Sequence, residues 1–401
     1  MNMKKYLLIF AVMLTGTALL TGCLNDDNDG PSSWTGYVSK GAYVICGGNQ
    51  GNAIGSSMTY IDYKNESAEQ NFFTRVNYRE LGSTANDAIV YGSKMYVVVS
   101  GENTIEVLDS KTGYSIRQIS TVGLTGGDQG VNPRHIAAGN GMIYVSTYGG
   151  SSSEYDENWN QVTSGNGYVV AIDTASFAMK NIYTAGSYPE GLYVTEKNLY
   201  VANSDYSAGK RASISVIDLG TGSATEKTHA NIRNPQDVVV LADGRYFFLD
   251  WGQYDSNWNQ VNAGVYLVDG DNVSKVIENA TMWVPISFSN GYTVASYIYT
   301  VNAPYGSSSV TYDRYDLSTN SRTQFTTDGV FSPSAIGVDP LSGYVFIASY
   351  KQNPDTGKAD YSAKGYVKVY DTYGKVWKEF ECGVGPNAFA FNVGIETVTL
   401  Q

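Results

Sequence analysis

A pattern that recurs seven times constrains this chain more than any other feature. Each copy holds two short apolar segments. The first carries Tyr-Val or a near equivalent and ends in small polar residues: "AYVICGG" at 42, "MYVVVSG" at 95, "IYVSTYG" at 143, "LYVANSD" at 199, "YFFLDWG" at 246, "YTVASYI" at 292 and "YVFIASY" at 344. The second alternates and ends on an aspartate: Asp62, Asp109, Asp173, Asp218, Asp269, Asp316 and Asp371. The aspartates recur at steps of 45 to 64 residues, and the variation falls between the two segments. Strand-type segments at such a period mark an array of β units. Most units also open on a proline: "NPRHIAA", "YPEGLYV", "NPQDVVV", "VPISFSN", "SPSAIGV" and "GPNAFAF", with "TANDAIV" at 84 filling the slot without one. A fixed φ suits a chain turning into a strand whose first residue can spare its N–H.

Each unit therefore reads as a four-stranded antiparallel meander. Seven of them predict an all-β fold, a seven-bladed β-propeller. The first unit has no opening strand upstream of "AYVICGG", and "GPNAFAF" at 385–391 is a spare one. The termini are expected to share one blade, the C-terminal strand closing the ring so that no sheet edge is left open.

The chain ahead of the repeats is of another kind. Lys4 and Lys5 precede "YLLIFAVMLTGTALL", an apolar run too short for a comfortable membrane span, and residues 1–22 read as a signal peptide. "LTG" followed by Cys23 resembles the lipobox of bacterial lipoproteins, which implies cleavage before Cys23 and a lipid on its sulfur. Asp26, Asp27 and Asp29 then resemble the surface-export tract of some Gram-negative lipoproteins. Residues 23–36 read as an acidic flexible tether and 37–401 as a single propeller. The expected location is the outer membrane, lipid-anchored and facing outward.

Composition excludes several functions. The formal net charge is −12, with no basic stretch, so nucleic acid is not an expected partner. Beyond Cys23 there are only Cys46 and Cys382, and the two histidines, His135 and His229, lie far apart. No metal motif and no His-based triad can be assembled from them. Cys46 and Cys382 both belong near the seam where the ring closes. They either form a disulfide there or remain buried thiols.

The strand pattern of "LYVANSD…ISVIDLGTG" resembles the YncE-like (YVTN) propeller repeat, over nearly the whole chain after the signal peptide. Such motifs specify fold well and function poorly. Up-and-down alternation puts the turn into the first strand and the loop from second to third strand on one face. The central candidates on that face are Asn86, Asp87, Arg134, His135, Glu190, Gln236, Asp237, Trp283, Ser334 and Asn387. The wall candidates are Tyr148, Tyr155, Trp159, Asn203, Tyr206, Trp251, Tyr254, Trp258, Tyr297, Tyr305, Tyr350 and Tyr361. Two of these loops carry nearly the same octamer, "YDENWNQV" at 155–162 and "YDSNWNQV" at 254–261.

Aromatic planes, amides and hydroxyls suit a flat ligand with polar substituents. Lipobox, acidic tract, seven blades and aromatic face together resemble the surface lipoproteins that capture cobalamin and related corrinoids beside a TonB-dependent transporter. That resemblance implies binding without catalysis or cofactor: a corrinoid as ligand, the transporter as partner. A corrin is broad, flat and fringed with amides. A glycan stacked on the tryptophans is the first rival reading. A lyase or lactonase using His135 with Asp87, Glu190 and Asp237 is the second.

Overall fold

The computed structural model describes residues 33–157, 161–205, 211–289, 294–307 and 309–399. The signal peptide, Cys23, Trp159 and Tyr206 lie outside the described residues. Among these residues, seven sheets each have a main path of four antiparallel strands. Their innermost strands are Ala85–Tyr91, Pro133–Gly139, Pro189–Val194, Pro235–Val240, Met282–Ser289, Ser332–Val338 and, from the C-terminus, Pro386–Thr399. Neighbouring inner strands pack on one another around an axis. The fifth and sixth sheets are also tied by Trp283 Nε1 donating to Asp237 Oδ2 at 2.7 Å.

Ring closure is as the sequence implied. Pro386–Thr399 pairs with Ser33–Cys46, so the first sheet takes its inner strand from the other end of the chain. The pairing runs out to Ser33↔Thr399, which puts residues 33–36 in a strand rather than in the tether expected over 23–36.

The recurring Tyr-Val segments are the second strands, and one aromatic per sheet fills their slot: Tyr43, Tyr96, Tyr144, Tyr200, Phe247, Tyr299 and Phe346. All but Tyr200 are buried, between one sheet and the next. Burying one such ring stabilises the fold by about 1.5–3 kcal/mol. The sixth unit departs from the sequence reading. Its second strand is Val294–Asn302, and Tyr299 takes the slot assigned to "YTVASYI". Its expected opening proline, Pro285, lies inside the inner strand opposite Ile298.

The recurrent aspartates are turn formers on the opposite face. Asp109 Oδ1 accepts from the backbone N–H of Lys111 and Thr112 and from the Thr112 hydroxyl, at 2.8 to 3.1 Å. Asp173, Asp218 and Asp316 repeat the arrangement. The carboxylate closes the hairpin into the outermost strand, which is why the repeat keeps it.

Candidate functional site

Six of the seven inner strands share a register shift at their first residues: Ala85/Asp87, Pro133/Ile136, Pro189/Leu192, Pro235/Asp237, Pro333/Ala335, and the Pro386 end of the closing strand. A bulge places two residues opposite one and re-aims side chains. Consecutive residues therefore both face the axis: Asn86 with Asp87, Arg134 with His135, Gln236 with Asp237. Strict alternation would have turned one of each pair away. The sixth strand has no shift and presents Trp283 instead.

These residues line an axial cavity of about 430 Å³. Asn86, Asp87, Arg134, His135, Gln236, Asp237, Trp251, Trp283, Ser334 and Asn387 are all on its wall, beside Leu192, Leu249, Met282 and Ile336. Glu190 stands behind the wall, 3 % exposed, and holds three of its neighbours. It accepts from Arg134 Nε at 3.1 Å and from the Tyr148 hydroxyl, and its Oε2 lies 3.4 Å from His135 Nε2. The Arg134 guanidinium sits 4.9 Å from the Tyr148 ring centre. On its other side His135 Nδ1 meets Asp87 Oδ2 at 3.1 Å.

Burial opposes a charge on His135, but hydrogen bonds to Asp87 and Glu190 outweigh it and carry its pKa up to about 10. Burial likewise works against ionised Glu190, yet Arg134 and His135 hold its carboxyl below the usual range. His135 is thus a cation at neutral pH, clamped by two carboxylates. The stability it contributes is fully present below its ordinary pKa of 6.5 and is lost as pH rises through about 10. Glu190 acts with the opposite sign: its contribution is present above 4.5 and is lost as pH falls. A His135→Gln variant should therefore be destabilised at neutral pH. In urea titrations its gap from the parent should narrow as pH is raised through 10. A gap that stays constant would show that His135 is not charged in the fold.

The wall residues separate into groups. Trp251 lies on the cavity wall, 41 % exposed, with Nε1 donating to Thr281 O at 2.7 Å, and starts the loop carrying the second octamer. Within that loop Tyr254, Trp258 and, from the next sheet, Tyr305 are 55 %, 74 % and 66 % exposed. The ring centres of Trp258 and Tyr305 lie 6.4 and 6.1 Å from that of Tyr254. Trp258 adopts φ +63°, a left-handed conformation rare for a bulky residue. Asp255 imposes it: Oδ1 accepts from Asn257 N and Asn259 N at 2.8 and 2.9 Å, and Trp258 N donates to Asp255 O at 3.0 Å. Gln260 bridges the loop to Trp251 O and Tyr305 N. Tyr155, in the first octamer, is exposed on the hairpin Ser152–Tyr155 with Gln161–Ser164. Tyr350 is half-buried against Tyr361 at 4.7 Å.

Two wall candidates belong elsewhere. Asn203 is fully buried inside the fourth sheet, its amide donating to Ser213, Ser215 and Glu226. Tyr297 pairs with Asp316, at the opposite face, and lies under the Arg314 guanidinium. The error follows from the sixth-unit misreading, since Tyr297 stands two residues before the true aromatic slot. Cys46 and Cys382 do meet at the seam, as two buried free thiols, with the hydrogen bond to Cys46 and then burial pushing the Cys382 thiol up. Among the described residues no three His, Cys, Asp or Glu side chains gather as a metal site.

No family model and no curated protein matches the chain. Solved structures do. Kuenenia stuttgartiensis hydrazine synthase is similar at 13 % identity and TM-score 0.52, over 79 % of this chain and 95 % of that one. The WD40 repeats of RRP9 are similar at 10 % identity and TM-score 0.51, over 76 % and 83 %. The fold is a β-propeller. At such identities the likeness carries nothing about ligand or chemistry.

Proposed function

We propose that this propeller is an outer-membrane surface lipoprotein that binds a corrinoid on the face holding the axial cavity. It passes the ligand to a TonB-dependent transporter. The observation that carries the reading is the joining of two surfaces by Trp251: an amide- and indole-lined cavity, and a platform of exposed Tyr254, Trp258 and Tyr305. A broad macrocycle rests its apolar faces on the platform and over the cavity mouth, and its amide fringe reaches inward. Asn86 Nδ2 and Asn387 Oδ1, on two cavity-wall side chains, have no hydrogen-bond partner among the described residues, as an amide-rich ligand would favour. Loops fixed by carboxylate caps meet the ligand with little ordering entropy left to lose.

His135 supports binding over catalysis. Held protonated up to about 10, it is a poor general base at neutral pH. Glycan stacking remains the rival that the exposed Trp258 favours, and one assay separates the two. The protein is mixed with cyanocobalamin at micromolar concentration and run on gel filtration, following the visible corrin absorbance. Colour travelling with the protein supports the corrinoid reading, and a colourless protein peak overturns it. Trp258→Ala and Trp159→Ala should each weaken binding by about 1–3 kcal/mol. Unchanged affinity in the double variant would reduce both rings to loop packing.

A further inference from the structure

The five charged groups in and behind the cavity wall are three carboxylates against two cations, and the excess sits at one of them. Glu190 is occupied by Arg134, His135 and Tyr148. Asp87 is occupied by His135 and by the backbone N–H groups of Ile136 and Ala88. Among the described residues Asp237 receives only Trp283 Nε1, at 2.7 Å, and Val238 N, at 2.8 Å. An ionised carboxylate offers about four acceptor positions, so about two stay open. Among the described residues no basic side chain makes an ion pair with it. A charged group in a cleft without a counter-ion is expensive unless a ligand supplies one.

We propose that the axial cavity binds an organic cation, a protonated amine in the simplest case, with Asp237 as its counter-ion and the Trp283 indole as the adjoining wall. Burial pushes the Asp237 pKa up to about 6, the Trp283 hydrogen bond only partly offsetting it. That is the signature of an under-compensated carboxylate rather than of a structural ion pair. The chain also keeps room for it: a Cβ at Gly191 would stand 2.2 Å from Asp237 Oδ1. Leu249, Met282 and Ile336 complete an apolar wall that fits the carbon part of an amine better than a hydrated metal ion. The titratable groups facing Asp237 across the cavity are His135 and Asp87. His135 stays charged through the neutral range and so does not set the pH response.

The inference shares the cavity with the corrinoid reading but does not depend on a corrinoid. Its test uses propylammonium, with propionamide as the neutral control and potassium as the inorganic one, followed by ligand-observed NMR on the protein. Propylammonium should bind at least tenfold tighter than propionamide. Asp237→Asn should lower its affinity at least tenfold. In the unsubstituted protein, affinity should fall several-fold between pH 7.5 and pH 5 as Asp237 takes up its proton. This arm decides the matter should the variant fail to fold. Equal binding of propionamide, a pH-independent affinity or no binding of propylammonium would overturn the proposal. A negative corrin assay would leave a positive amine result standing, and the reverse.

Discussion

A chain ending at Val384 is expected not to fold to a soluble monomer. The segment removed supplies the inner strand of the first sheet along its whole length. It puts Phe389 and Phe391 against Phe346, with ring centres at 5.8 and 5.3 Å, and Ala390 into the core on the other side. Buried Asn392 donates to Tyr43, Tyr60 and Lys111 O. The same strand locks both neighbouring sheets, since Asn387 Nδ2 donates to Ala85 O at 2.7 Å and Ser334 Oγ to Pro386 O at 2.6 Å. Phe389 and Phe391 are partly buried, and full burial of two such side chains would set an upper bound of roughly 3–6 kcal/mol, against a typical total of about 5–15 kcal/mol. The deletion also opens Ser33–Cys46 as a long unpaired edge, a template for aggregation. Gel filtration and far-UV circular dichroism read the outcome. A truncated monomer that melts cooperatively would contradict closure by this strand.

Replacing Glu190 by alanine should be strongly destabilising. Its carboxylate is buried, and two cations depend on it. Removing one member of such a cluster leaves charge uncompensated in a poorly hydrated wall and costs about 3–5 kcal/mol. Urea unfolding should show a lower midpoint with an unchanged slope. Pairing Glu190→Ala with Arg134→Leu should recover part of the loss, because one stranded charge is then gone. A loss under about 1 kcal/mol for Glu190→Ala would show that Arg134 and His135 find other partners.

Most of the fold was legible because the repeat is written in residues whose job is local. The terminal aspartates cap turns, and the Tyr-Val segments fill one slot per sheet. The sixth unit misled because "YTVASYI" imitates the motif ahead of the true segment, and because Pro285 sits mid-strand instead of at its start. The axial residues follow from the opening slot of each unit, which most units mark with a proline. The bulge that turns both members of each pair inward has no spelling of its own in the chain, being set by pairing across two strands. Asn203 shows the converse: a loop-edge amide in sequence is a buried structural group, since its partner Glu226 lies on the outermost strand. The octamer's meaning was half-visible. Its tryptophan reads as a loop aromatic, but only the Asp255 cap explains a Trp258 held outward at positive φ.

The most direct test of the ligand face is a crystal structure of the protein with cyanocobalamin. The expected result is electron density for the macrocycle over the cavity mouth, in contact with Trp258 and Trp251. Density on the opposite face, among the aspartate-capped turns, or along the outer strand edges would contradict it.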